Sequence, residues 1–269
     1  MHPILFEIRG FPVYTYGVML AAAYLLGLQF ALVRARSRGL QPDRVMDLGI
    51  WIIVSALVGA KLLLLIVEWD TYSRSTSDLL TLVRSAGVFY GGLIAAVAVA
   101  VFYLWRHRMP IWTVTDVFAP GIALGHAIGR LGCFLAGCCF GRETTVRWAV
   151  TFQSEYAARN VGTPLNVPLH PTQLYEAGAE LLILGLLLLT ERRGRVFPGR
   201  TFWGYMLLYG LSRFIIEFYR GDVRGMVGMF STSQFVSLLI VPISIGMLIY
   251  LSRRPSPAPT TVAAGRRAA

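Results

Sequence analysis

Arg213 and Glu217 stand where so apolar a chain has reason to exclude charge. They lie in Leu208-Tyr-Gly-Leu-Ser-Arg-Phe-Ile-Ile-Glu-Phe-Tyr-Arg220. A spacing of four puts them on one helix face, with Tyr209 and Arg220 close to it. Such a pair either closes a structural ion pair or forms an anion site. In the second case Glu217 aims the guanidinium and the guanidinium holds a phosphate. Arg130 lies in a second run, His126-Ala-Ile-Gly-Arg-Leu-Gly-Cys-Phe-Leu-Ala-Gly-Cys-Cys-Phe-Gly-Arg142. Its glycines, at 125, 129, 132, 137 and 141, let another backbone or a lipid headgroup come close. A packing seam needs those glycines but does not need Arg130.

Other residues join these with a double reading. Phe89-Tyr-Gly-Gly-Leu-Ile94 sets the Tyr90 phenol beside Gly91 and Gly92, as a reactive group or an interfacial aromatic anchor. Tyr14 and Tyr16, before Gly17, read the same way. His170-Pro-Thr-Gln-Leu-Tyr-Glu176 opens an apolar run, and His170 reads equally as a base or a cap. Lys61 and Glu176 are further charges at or near bilayer depth, where charge tends to face a cavity or a partner. Cys133, Cys138 and Cys139 invite a metal or redox reading. Their spacing lacks the two paired ligand groups of structural zinc sites. A disulfide from Cys133 to Cys138 requires the helix to break, so the expectation is small packing residues and no metal.

The elements that position these groups are membrane spans. Apolar residues make up 55% of the chain and charged ones 14%, with a mean hydropathy of +0.59. Soluble domains carry about 25% charged residues, so this chain cannot face water on all sides. The net charge of +11 does not point to nucleic acid. It is almost all arginine, set in short clusters between apolar runs, where it meets anionic lipid headgroups. With about 20 apolar residues needed per span, seven candidates fall near 13–33, 46–67, 87–105, 112–136, 171–190, 201–219 and 234–252. No cleavable signal peptide is evident, Arg9 being a lone N-terminal charge. With the N-terminus outside, the inner segments hold fourteen arginines and the outer ones eight, which favours N-out, C-in. The fold expected is an all-α polytopic membrane protein, one transmembrane domain over 1–254. Residues 137–170 form a small extracytoplasmic loop or cap. Residues 255–269, rich in Pro, Ala, Thr and Arg, read as a disordered cytoplasmic tail.

Together, these motifs resemble the prolipoprotein diacylglyceryl transferase family over most of the chain. The resemblance rests on Tyr14-Thr-Tyr-Gly-Val-Met19, Gly59-Ala-Lys61, Phe89 to Ile94 and Gly129-Arg130-Leu-Gly132 with Gly137 to Gly141. It continues through His170 to Glu176 and Tyr209-Gly-Leu-Ser-Arg213 with Glu217. Each pattern is weak alone; their order and topology are specific. The resemblance implies a bacterial inner-membrane enzyme that moves the diacylglyceryl group of phosphatidylglycerol onto the lipobox cysteine of a preprolipoprotein. The products are a thioether and glycerol phosphate, and no cofactor is implied. The family's essential arginines map onto Arg130 and Arg213, its signature glycine onto Gly141, its first-span tyrosine onto Tyr16 and its glutamate onto Glu217. Cys133 and Cys138 stand where familiar members carry Asn and Glu, and Tyr90 where many carry His.

That chemistry assigns Arg130 and Arg213 to the phosphodiester, with Glu217 orienting and Tyr90, Tyr16 or His170 accepting the thiol proton. Gly91, Gly92, Gly141 and Tyr209 line the substrate. A lipid- or anion-binding transporter keeps the same architecture without the catalysis. A thiol oxidoreductase rests on the cysteines alone.

Overall fold

A computed structural model describes residues 2–8, 10–72, 82, 87–193, 197–222 and 225–254. Arg9, Arg74, Arg84, Arg195, Arg224 and the tail from 255, with Arg266 and Arg267, lie outside the described residues. Seven long helices carry the chain among those described: α1 (Thr15–Ser37), α2 (Pro42–Val67), α4 (Phe89–Arg106), α5 (Ile111–Ala136), α7 (Thr172–Arg193), α8 (Arg200–Glu217) and α9 (Thr232–Ser252). Two short helices, α3 (Trp69–Tyr72) and α6 (Glu155–Val161), lie between them. Six of the seven are long and apolar enough to cross a membrane. The exception, α8, carries Arg200, Arg213 and Glu217 within 18 residues, and α8 is one of the elements that build the charged cluster. The chain is a polytopic helical membrane protein.

Not all of it is helix. Among the described residues, three two-stranded antiparallel sheets pair β1 (Ile4–Ile8) with β2 (Phe11–Tyr14), β3 (Val150–Thr151) with β4 (Pro168–Leu169), and β5 (Met226–Val227) with β6 (Phe230–Ser231). The all-α expectation missed them because strands of two to five residues leave little periodicity to read.

Packing runs through small residues, as lipid gives helices no hydrophobic reason to associate. On α1, a Cβ at Gly27 would stand 2.7 Å from the Gly121 carbonyl oxygen of α5. On α4, a Cβ at Gly92 would stand 2.9 Å from the Ala56 oxygen of α2, and Gly91 meets Gly59 and Leu63 as closely. α5 is the central element, packing on α1, α7 and α8. It ends at Gly137, which adopts the left-handed conformation at φ 83° that glycine takes without steric cost. The chain then turns back over the bundle end. Phe140, Phe152 and Leu169 form a separate apolar core for residues 137–170. That segment, expected as a loop, is thus a small folded unit.

Candidate active site

Glu176 is the hub. It sits one turn into α7, is only 4% exposed, and meets three guanidiniums. Arg130 of α5 reaches it through Nε to Oε2, and Arg213 of α8 through Nη1 to Oε1. Arg220, just past the end of α8, adds Nη1 at 3.2 Å. Two further acids share the positive charge. Glu217 lies 2.6 Å from Arg213 Nη2, and Asp222 takes both Nε and Nη2 of Arg220 at 2.9 Å. Arg213 also donates to Ser233 at 3.1 Å. Burial opposes the charge on Arg220, but the bonds to Asp222, with Cys139 and Glu176 nearby, more than offset it, so its pKa stands above the usual arginine value.

One turn deeper, a second pair extends the cluster. His126 Nδ1 lies 2.8 Å from Glu180 Oε1, while His126 Nε2 accepts from Arg130 Nε at 3.1 Å. These contacts place the imidazole proton on Nδ1. The Tyr209 ring lies 5.4 Å from the His126 ring and stacks on Tyr205 at 5.8 Å. His126, Glu176, Glu180, Tyr209, Ser212 and Arg213 line a small cavity between α5, α7 and α8. Arg130 spends only Nε on these partners among the described residues, and its side chain keeps 16% exposure. Its two terminal nitrogens remain uncommitted.

Gly141 holds the roof in place. Its N–H donates to the His170 carbonyl at 3.0 Å, Arg142 N–H donates to the Tyr219 carbonyl at 2.8 Å, and Gly221 N–H donates to the Phe140 carbonyl at 3.1 Å. The segment 140–142 is therefore sewn between His170 and the chain leaving α8. A Cβ on Gly141 would stand 2.6 Å from His170 Cβ and 2.8 Å from the Tyr219 oxygen, so only glycine fits. This ties Arg220 to the cap that carries the cysteines.

The structure therefore joins Arg130, Arg213, Glu217 and Tyr209 directly, with Gly141 as their backbone support. His170 sits at the edge, its Nδ1 3.1 Å from the Tyr175 hydroxyl and its ring 5.2 Å from Tyr219. Tyr16, on the first turn of α1, packs beside Gly132: its Cδ2 is 3.5 Å from where a Cβ would stand. Tyr90 stands apart. It is 45% exposed, its ring meets Phe89 at 5.7 Å, and Gly91 and Gly92 spend their missing side chains on the contact with α2. Lys61 donates to the Leu82 carbonyl at 2.9 Å.

Sequence reasoning placed Arg220 near the Arg213–Glu217 face but missed Glu180, His126 and Asp222 as parts of the cluster. The signal was present: Glu176 with Glu180, and His126 with Arg130, share the four-residue spacing that marked Arg213 with Glu217. The cysteines converge as well. α5 does break, at Gly137, and the turn gathers all three sulfurs within 4.8 Å of one another. Cys139 is held below the ordinary thiol range by hydrogen bonds from Cys133 and Cys138, with Arg220 and Arg130 assisting.

In this helical membrane protein three guanidiniums gather on one buried carboxylate, one of them with donors to spare, an arrangement chemically suited to an anionic group. Comparison with known proteins is more specific. The family model described as prolipoprotein diacylglyceryl transferase matches residues 3–250. A phosphatidylglycerol–prolipoprotein diacylglyceryl transferase of Clostridium tetani (strain Massachusetts / E88) is 36% identical over 91% of this chain and 96% of its own. Transferase 2 of Clostridium perfringens (strain 13 / Type A) is 35% identical over 93% and 94%. A Listeria monocytogenes (serotype 4b, strain CLIP80459) transferase is 32% identical over 96% and 92%. The chain belongs to the prolipoprotein diacylglyceryl transferase family.

Proposed function

We propose that this chain transfers the diacylglyceryl group of phosphatidylglycerol to the lipobox cysteine of preprolipoproteins, with Arg130 as the principal contact to the phosphodiester. The observation that carries this is the division of labour within the cluster. Arg213 and Arg220 are neutralised by Glu176, Glu217 and Asp222, while Arg130 presents two uncommitted terminal nitrogens. A guanidinium fixed through Nε offers its remaining fork to a phosphate in bidentate geometry.

In the reaction the acceptor thiol loses its proton and its sulfur bonds to the glyceryl carbon. The carbon–oxygen bond to phosphate breaks, and its electron pair leaves on glycerol phosphate. Negative charge grows on the leaving phosphate, where donors fixed in a dry site act most strongly. Arg130 and Arg213 hold that charge, Glu217 orients Arg213, and Tyr209 lines the cavity. The proton acceptor is assigned among Tyr16, His170 and Tyr90. Of these, Tyr16 and His170 lie nearer the cluster elements, whereas Tyr90 stands exposed on α4 against Phe89.

In this reading α8 is the seventh span, the N-terminus faces out and the C-terminus in, and residues 1–254 form one domain of the bacterial inner membrane. The segment 137–170 then caps the outer face, where a tethered signal peptide presents its cysteine.

The test uses purified chain in detergent, phosphatidylglycerol and a peptide carrying a lipobox cysteine. A diacylglyceryl mass gain matched by released glycerol phosphate supports the reading. No gain from folded protein overturns it.

A further inference from the structure

Three sulfurs converge where α5 ends. Cys133 sits on its last turn, Gly137 reverses the chain, and Cys138 and Cys139 return to meet it, all three Sγ atoms within 4.8 Å of one another. The arrangement is held from outside. Gln173 Nε2 donates to the Cys138 carbonyl at 2.7 Å, and Thr172 Oγ1 donates to the Cys139 carbonyl at 2.9 Å. Both clamps come from the first turn of α7, and Glu176 follows on the next. Cys139 holds φ at 63°, a conformation uncommon outside glycine, so the turn is fixed in a form local sterics disfavour.

Small apolar packing does not ask three sulfurs to point at one another. A disulfide joins two sulfurs at about 2.0 Å and leaves the third over. Three thiolates holding one ion at about 2.3 Å need mutual separations just under ~4 Å, which modest rotation of these side chains reaches. Sulfur ligands select soft ions, zinc among them. Three protein ligands, rather than four, describe zinc sites that keep a position for substrate.

We propose that Cys133, Cys138 and Cys139 form a three-sulfur site for a zinc ion whose open fourth position takes a thiol from outside the chain. Three thiolates and a dication leave one negative charge, which the nearby Arg130 guanidinium, acting on Cys139, partly offsets. A thiol that joins such an ion gives up its proton and remains a nucleophile. Resting on the transfer reading, that thiol is the acceptor's lipobox cysteine. On coordination its proton passes to the acceptor among Tyr16, His170 and Tyr90. Its sulfur then forms the bond to the glyceryl carbon as the bond from that carbon to the phosphate oxygen breaks. The oxygen keeps the electron pair, and the ion is neither oxidised nor reduced. This gives the thiol an activator close to the arginine that holds the phosphate.

The test uses the full chain in detergent, reduced, stripped with a chelator and titrated with cobalt(II) as a spectroscopic stand-in for zinc. The expected result is about one equivalent bound with thiolate-to-metal bands in the near ultraviolet, displaced by zinc and weakened by about tenfold or more in Cys133→Ser, Cys138→Ser or Cys139→Ser. Protection of the thiols from alkylation by zinc reads the same site independently. Absence of both signals, from protein whose helicity and melting are normal, overturns the site. A lipobox peptide should change the bands, and its serine counterpart should not. Bands indifferent to both overturn the fourth-ligand assignment. Full transfer by stripped protein overturns the catalytic use and leaves the transferase reading standing. No transfer with or without zinc, with the bands intact, tells against the transferase reading and not the site.

Discussion

α5 carries a buried aspartate near one end and a half-buried arginine near the other, and the two neighbourhoods differ in kind. Asp116 and Arg130 are fourteen positions apart, about 21 Å along the helix axis. Around Asp116 the carboxylates are filled. Asp116 accepts from the Gly199 N–H at 2.7 Å and the Phe202 N–H at 2.9 Å, capping the start of α8. Nearby, Glu191 Oε1 takes Arg34 at 2.6 Å, Arg38 at 3.2 Å and the Thr201 hydroxyl at 2.5 Å. Around Arg130 three guanidiniums crowd one carboxylate, and one keeps its terminal donors free. Burial of charge is common to both ends. What marks the Arg130 end is a part-exposed guanidinium with both terminal nitrogens to spare among the described residues.

The largest effect should come from removing the hub. Glu176→Gln leaves three guanidiniums gathered around a neutral amide, and breaking a buried pair costs about 3–5 kcal/mol. The expected outcome is a marked fall in melting temperature in detergent together with loss of transfer. A variant as stable as the parent would mean that Glu217 and Asp222 suffice, and that the cluster is less interdependent than its contacts imply.

Arg130→Gln comes next, and it separates the ends more cleanly. Removing a donor that serves developing charge lowers turnover by about 10²–10³, or roughly 2.7–4 kcal/mol. Arg34→Gln, at the other end, should lower the melting temperature while transfer per folded molecule stays unchanged. Transfer measured against the folded fraction checks both. Equal losses would erase the distinction between fastening and site.

Much of this was legible beforehand, for physical reasons. A span must be a long apolar run because lipid leaves backbone groups no other partner, so the six apolar helices fell near the expected positions, and the less apolar α8 lies near its own. Charges inside such runs are few, and so Arg130, Arg213 and Glu217 stood out. Glu176 was noticed, but its role as hub was not, because three partners from α5, α8 and the chain beyond converge on it only in space. Gly141 announced itself as a glycine without revealing that two backbones flank it. The cysteines converge for a reason that linear spacing does not carry: the left-handed turn at Gly137 brings Cys138 and Cys139 back to Cys133. Gly91 and Gly92 show the converse: a paired-glycine motif with Tyr90 reads as a site, while in the fold both glycines are used in packing α4 on α2.

Asp116→Asn tests the fastening itself. An amide keeps one acceptor for the Gly199 and Phe202 N–H groups but turns an N–H toward the other. Leaving a buried group unsatisfied costs about 1–3 kcal/mol. Stability should fall by that amount, read from thermal or denaturant unfolding, with transfer by the folded fraction preserved. A loss of transfer at constant stability would mean that the start of α8 transmits its position to Arg213, coupling the two ends through one helix.

The smallest effect is expected where charge is exposed. Arg159 pairs with Glu155 at 2.8 Å on α6, with 79% and 75% of their side chains accessible, and such i,i+4 pairs are worth about 0.3–0.5 kcal/mol. Arg159→Gln removes one positive charge from the cap, the same change in net charge that Arg130→Gln makes a short way below. Were transfer driven by general attraction of anionic lipid to a basic surface, the two variants would fall together, and both losses would shrink as salt was added. If the fixed guanidinium is what matters, Arg159→Gln holds transfer within about twofold, while Arg130→Gln stays inactive at every ionic strength.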